Sequence, residues 1–287
     1  MQRKIVKLGP STLTISLPSK WVKEQHLAPG NDLTIEEHNN QLLISTGTPE
    51  TTTEKITLDI STHPALIKRL YAATYLQGAD EIEIITANHE QSRILQQRTQ
   101  ELIGMEIIKQ EKNKLTIKDL SNNTHENFDN ITNRILYLLH SMSDEILKAI
   151  TNKEQELNYI EDMEKNINKF TDYCLRLLNK NLYPEKRKTP AIYCIIYLLE
   201  ELGDHYKRLV YQLKNTTLDN KLINLYEKIN TYHKNYEKLH LKYSKEKAIT
   251  LAQERDQLIQ KIREEQEKRK NPKDIIILNH YENIIET

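Results

Sequence analysis

Glu185-Lys186-Arg187-Lys188-Thr189-Pro190 recurs, with one residue changed, as Glu267-Lys268-Arg269-Lys270-Asn271-Pro272, an offset of 82 residues. Ten residues past each proline stands a glutamate, Glu200 or Glu282, and fourteen past stands Asp204 or Glu286. A match of this length followed by a carboxylate pair in the same register argues for an internal duplication. The sequence around it is helical. Ile131, Ile135, Leu138, Leu139, Met142, Ile146 and Ile150 follow the 3.6-residue stripe of a bundle helix. Thr151 with Glu154 predicts a capping box opening the next helix, which runs to about Asn179. Thr189-Pro190 opens a third, because a first helical position loses nothing to a missing N–H. Helices near 218–242, 245–269 and 273–287 follow, and short loops between six helices imply antiparallel packing. Residues 125–287 therefore read as a bundle of two three-helix repeats, 125–214 and 218–287. The third helix of the second copy forms only about fifteen residues before Thr287.

Upstream, about 54–120, the period alternates. Lys55 to Ile60 and Glu81 to Thr86 read as strands, Pro64 to Gln77 and Glu90 to Ile103 as helices. Asn88 and Gln91 have the spacing of a capping box, and Gly104 stands where a helix stops. Glu106 to Gln110 and Lys114 to Lys118 predict a hairpin. The expectation is a small β-α-β-α-β-β domain.

Residues 1–47 hold short alternating runs. Arg3 to Leu8 and Leu13 to Leu17 are separated by Gly9-Pro10-Ser11-Thr12, and a short helix follows Pro18 with Ser19 placed to cap it. Pro29-Gly30-Asn31-Asp32 turns the chain into Leu33-Thr34-Ile35-Glu36, and Asn39-Asn40 joins that strand to Gln41–Ser45. So few residues cannot bury a core alone, and pairing with a second copy is the expected remedy. Thr46 to Thr53 reads as a linker. The fold class expected is α+β and multidomain: 1–47, 54–120 and 125–287.

Composition narrows the function. The chain has 287 residues, 41 Lys+Arg against 41 Asp+Glu, and only 6 glycines. Zero net charge excludes a surface coated throughout for nucleic acid but leaves room for a local basic patch. Cys174 and Cys194 read as reduced thiols, not a framework. The longest wholly apolar run, Ala191 to Leu199, is far short of the ~20 residues of a membrane span. No apolar signal core follows the first charges. The expectation is a cytoplasmic protein without membrane insertion. No glycine-rich phosphate loop, nucleophile elbow or paired-cysteine metal motif is present, and nothing points to an enzyme.

Two places carry chemistry. Residues 1–23 contain Arg3, Lys4, Lys7, Lys20 and Lys23 and no acid, whereas 24–47 contain four acids and no Lys or Arg. Charge focused on one edge is what phosphate-backbone binding needs. The second place is Leu198-Leu199-Glu200-Glu201-Leu202-Gly203-Asp204-His205, where Glu200 and Asp204 lie one helical turn apart. Arg208, four past Asp204, would make an ordinary surface ion pair. Carboxylates projecting from facing helices also suit a divalent or trivalent metal ion. Gly203 in mid-helix points to close approach of another helix or a bound group. Tyr193, Tyr197, Tyr206 and Tyr211 are expected to pack with their hydroxyls at the rim.

Arg3 to Val22, with Leu27-Ala28-Pro29-Gly30-Asn31-Asp32-Leu33-Thr34-Ile35, resembles the AbrB/MazE/SpoVT swapped-hairpin DNA-binding family. The resemblance covers about 46 residues and implies an intertwined homodimer whose basic strands and loops face DNA. Arg3, Lys4, Lys7, Ser11, Thr12 and Lys20 are then the contact residues. The tandem helical repeats and the Glu200–His205 stretch resemble the PhoU family of phosphate-uptake regulators. That family carries Leu-Glu-Arg-Ile-Gly-Asp-His at this point and a Glu-x-x-x-Asp motif on the preceding helix, together holding metal ions. The resemblance implies Glu164, Glu200 and Asp204 as ligands. Glu201 stands in place of the family's arginine and Asn168 in place of its aspartate. Asn168 still offers a carbonyl oxygen, with less charge for a cation. No recognisable motif surrounds Glu282 and Glu286.

An AbrB-like head on a PhoU-like bundle is typical of archaeal regulators. The function expected is a DNA-binding transcriptional regulator of phosphate uptake with a metal-binding sensor bundle. The alternative is an adaptor that does not bind DNA and docks on a transporter, with a phosphate ABC transporter ATPase subunit as its partner. A di-metal carboxylate oxidase is more distant, since it wants paired Glu-x-x-His motifs and His205 stands one place late.

Overall fold

The computed structural model describes residues 2–38, 41–46, 54–121, 126–152, 157–214 and 216–287. The chain is mixed α and β, with small sheets first and a helical region toward the C-terminus. It divides into two compact units, Met1–Thr53 and Glu54–Thr287.

In the first unit β1 (Val6–Leu8) pairs antiparallel with β2 (Thr12–Thr14), Val6 opposite Thr14. Gly9 turns between them at φ 77, a left-handed conformation that side chains with a Cβ resist. Helix α1 (Ser19–Glu24) begins differently from the expectation: Pro18 takes the N-cap position and Ser19 is already helical, so no side chain caps it. Strands β3 (Leu33–His38) and β4 (Gln41–Thr46) form a second antiparallel hairpin, with His38 opposite Gln41. The joining Asn39-Asn40 lies outside the described residues, as does most of the expected linker. The two hairpins are separate two-stranded sheets. None of the residues described for burial in this unit is buried, and Ile5, Val6, Leu8, Leu13, Ile35 and Leu42 are each more than half exposed. An isolated hairpin is marginal in water, and the described residues of this unit form no core of their own.

The second unit opens with a four-stranded sheet in the order β5-β6-β8-β7. β5 (Lys55–Asp59) runs parallel to β6 (Glu81–Ile85), and β8 (Lys114–Asp119) runs antiparallel to both β6 and β7 (Met105–Glu111). Helix α2 (Ile67–Gln77) follows β5 and α3 (His89–Gln100) follows β6, giving the β-α-β-α-β-β order read from the sequence. Asn88 caps α3 by accepting from the Gln91 N–H, and Gln91 reaches back to accept from Ala87 N at 2.7 Å. Ile82, Ile84, Leu115 and Ile117 of the sheet belong to the same buried core as Tyr71, Tyr75 and Leu95 of the helices.

Six helices follow: α4 (Glu126–Asn152), α5 (Asn158–Asn179), α6 (Thr189–Leu213), α7 (Asn220–Leu241), α8 (Lys245–Lys268) and α9 (Pro272–Glu286). Helices α4, α5 and α6 pack as one triple, α7, α8 and α9 as another, and the contacts α4–α7 and α6–α9 join them. Thr151 does not cap α5. It sits in the last turn of α4, donating its hydroxyl to Leu147 O at 2.8 Å, and Glu154 lies outside the described residues. The apolar stripe carried α4 past the polar signal, because burial of Ile146 and Ile150 outweighs a single cap. At Gly203 a Cβ would stand 3.3 Å from Ile167 Cγ2, so the missing side chain lets α6 approach α5.

One joint was not foreseen. Arg176 of α5 is fully buried and reaches into the sheet layer. Its Nη1 donates to Tyr75 O at 2.6 Å and its Nη2 to Ala79 O at 2.8 Å and Asp119 Oδ2 at 2.7 Å. The guanidinium also lies 4.7 Å from the centre of the Tyr75 ring. Arg98–Asp172 and Lys180–Asp80 pairs flank it on the same face of α5. The layer and the bundle share one compact unit, tied by a buried cation with several acceptors.

Candidate functional site

The basic residues of the first unit are exposed. Arg3 and Lys4 lie in the segment leading into β1, Lys7 on β1, Ser11 in the turn and Thr12 at the start of β2. The hairpin register sets Lys7 beside Leu13 and Leu8 beside Thr12, so Lys7, Ser11 and Thr12 share one small loop end. Lys20 stands apart on α1, where it pairs with Glu24 at 3.7 Å with both side chains in solvent. Such a pair holds a lysine weakly and leaves it available to another anion.

In the bundle the structure brings Glu164 of α5 and Asp204 of α6 to a common partner. Lys207, one turn beyond Asp204, donates to Glu164 Oε1 at 2.6 Å and to Asp204 Oδ1 at 2.9 Å. Glu164 is buried and also accepts from Asn168 Nδ2 at 2.7 Å, while the buried Asn168 Oδ1 has no hydrogen-bond partner. Arg208 donates to Asp204 Oδ2 at 2.7 Å, the surface pair expected from the spacing. Burial alone would raise Asp204, yet hydrogen bonds from Lys207 and the charge of Arg208 hold its carboxyl below the usual range. Burial likewise works against the Lys207 ammonium, but Glu164 and Asp204 hold it above its usual value. Among the described residues no cation pairs with Glu200. Burial, then the charges of Asp204 and Glu201, push its carboxyl up to about 7.

As arranged, the lysine ammonium neutralises Glu164 and Asp204, two of the three carboxylates that the resemblance assigned to a metal. Among the described residues no group of three or more His, Cys, Asp and Glu side chains forms a metal-binding cluster. The donors themselves, carboxylates and an amide carbonyl, suit a hard cation, which would have to displace Lys207. Lys207 was legible as an Asp204-x-x-Lys207 pair on one helical face, but its reach across to Glu164 was not.

The second copy differs. Arg263 of α8 donates to Glu282 Oε1 at 2.6 Å and to Glu286 Oε1 at 3.1 Å. Arg269, the arginine of the repeated loop, is held by Asp219, Glu265 and Asp274, while Lys186–Lys188 of the first loop form a short exposed turn. Tyr206, expected at the rim, is fully buried, and burial raises its hydroxyl well above a free phenol. No family model, curated protein or solved structure matches the chain. Among the described residues no helix is long and apolar enough to cross a membrane.

Proposed function

We propose that the protein is a DNA-binding transcriptional regulator of phosphate uptake, with residues 1–47 as an AbrB/MazE/SpoVT-type swapped-hairpin dimer and 125–287 as a PhoU-like sensor bundle. One observation carries the reading: an acid-free, basic stretch is displayed by a unit in which no residue described for burial is buried. A second copy would cover Val6, Leu8 and Leu13 and would double the number of cations on one surface. Phosphate binding by clustered Lys and Arg releases counterions, so affinity falls steeply with salt. In this reading the α/β domain, 54–120, couples head to bundle. The bundle responds to a divalent or trivalent cation held by Glu164, Glu200 and Asp204, which takes over the neutralising role of Lys207, or to a transporter ATPase subunit.

The test is a mobility-shift titration of the full chain on its own promoter across salt. Contacts from Arg3, Lys4, Lys7 and Lys20 of both protomers give an expected slope of log K against log salt of about −4 to −7. Lys4→Ala and Lys7→Ala should each reduce that slope and weaken all sequences alike. Affinity indifferent to salt ends the DNA reading. A dimer that ignores DNA but retains transporter ATPase subunits would favour the adaptor.

A further inference from the structure

Helices α7 and α8 are joined by only Lys242-Tyr243-Ser244. Ser244 caps α8 by accepting from Lys247 N and donates its hydroxyl to Glu246 Oε2 at 2.7 Å, while Lys242 N closes α7 on Lys238 O. The turn is thus fixed at both ends, and it holds two apolar side chains in solvent. Tyr243 is 74% exposed and Leu241 61%, the highest values among the large apolar side chains described in the second unit. Lys238, Lys242, Lys245 and Lys247 surround them, all exposed. Lys234, one turn earlier on α7, is paired with Asp144, but among the described residues no ion pair holds any of these four.

A second basic turn meets the first. Helix α5 leads to α6 through Tyr183 and the exposed Lys186-Arg187-Lys188, and Tyr183 and Ile192 line one cavity of about 370 Å³ with His240 and Leu241. Within this turn Lys188 pairs with Glu185, both side chains remaining in solvent. The repeated loop shows what neutralisation would look like. Arg269, the counterpart of Arg187 at the offset of 82, is held by Asp219, Glu265 and Asp274. Arg187 has no such partner among the described residues. Asp129, Glu185, Glu246 and Glu254 are interspersed, and Glu237 is engaged by His140, so cations remain in excess at this end of the bundle.

We propose that this end of the bundle docks on a bilayer containing anionic lipids. Leu241 and Tyr243 enter the headgroup layer, the lysines and Arg187 of the two turns sit over lipid phosphates, and the lysine stems lie along the acyl boundary. Cations alone would suit a nucleic acid equally well. The leucine decides for the membrane: an aliphatic side chain gains by leaving water for hydrocarbon, and it has no π-face to stack on a base. An apolar insertion beside a basic patch is also the pair of signals that makes surface attachment stable without a crossing helix. The cations invoked for DNA lie elsewhere, in residues 1–23 of the other unit, so membrane docking and DNA binding can be broken separately.

Co-sedimentation of the full chain with vesicles is the test. Mixed phosphatidylglycerol–phosphatidylcholine vesicles should bind and slow amide exchange over 238–247, and pure phosphatidylcholine should not. Leu241→Ser with Tyr243→Ser should leave melting unchanged and weaken vesicle binding at least about tenfold. Lys242→Gln with Lys245→Gln should also weaken it about tenfold or more. Equal binding to neutral vesicles, no binding at low salt, or indifference to Leu241→Ser with Tyr243→Ser would overturn the proposal. So would loss of vesicle binding in Lys4→Ala with Lys7→Ala, which would assign it to residues 1–23. A Lys242→Gln, Lys245→Gln variant that loses DNA affinity and keeps its vesicles would overturn it as well, giving the patch to nucleic acid.

Discussion

In the first helical repeat Glu200 and Asp204 look toward α5, where buried Glu164 adds a third carboxylate and Lys207 bridges the cluster. In the second repeat Glu282 and Glu286, at the same register, meet the single exposed arginine Arg263 of α8. The acids stand at the same helical positions in the two stretches, but the helix packed opposite sets their electrostatics. Buried Glu164 needs its cation, whereas the arginine that meets Glu282 and Glu286 is itself largely in water. Two arginines at unmatched positions of the repeats also differ in their surroundings. Arg176 of the first repeat is enclosed and joins the bundle to the α/β layer, whereas Arg269 of the second sits at a helix junction among Asp219, Glu265 and Asp274.

The widest gap between the repeats is expected at Arg176. Replacing it by methionine strips the guanidinium from Tyr75 O, Ala79 O and the buried Asp119, and should cost about 3–5 kcal/mol in urea unfolding. A cost under about 1 kcal/mol would show that packing, not the buried cation, joins the layers. Next comes Lys207→Met, which leaves Glu164 enclosed without its ammonium and should destabilise by about 2–3 kcal/mol. The same variant should gain affinity for a divalent or trivalent cation, read as metal stoichiometry after dialysis. A variant as stable as the parent and still metal-free would remove the cation from the sensor reading. The smallest effect belongs to Arg263→Met, expected at about 0.5 kcal/mol or less because the arginine side chain is itself more than half exposed. Were it to match Lys207→Met, the contrast between the repeats would collapse.

Much of the local structure was legible in single residues. Asn88 caps α3 by accepting from Gln91 N as the spacing predicts, though Gln91 accepts in turn from Ala87 N, one residue before the cap, and Gly203 packs against Ile167. Thr151 misled, because a cap is worth about 1 kcal/mol and the apolar stripe of α4 outweighs it. Tyr206 misled for a related reason: a phenol reads as a rim residue until both repeats enclose it. At the candidate site the carboxylates were visible, and their neutralisation by Lys207 was not.

The sequence by itself determined the elements: their periods, the order β-α-β-α-β-β, the six helices, the repeated acidic pair and the segregation of charge in residues 1–23. Those properties depend on neighbours within a few residues, where 3.6-residue and two-residue periodicities and cap chemistry operate. Only the tertiary structure decided that Arg176 would enter the sheet layer and that Lys207 would reach Glu164. Each brings together side chains distant in the chain, and a charge's cost or gain depends on the dielectric and partners around it after folding. Acidic residues at the same register therefore met a lysine shared with buried Glu164 in one repeat and an exposed arginine in the other.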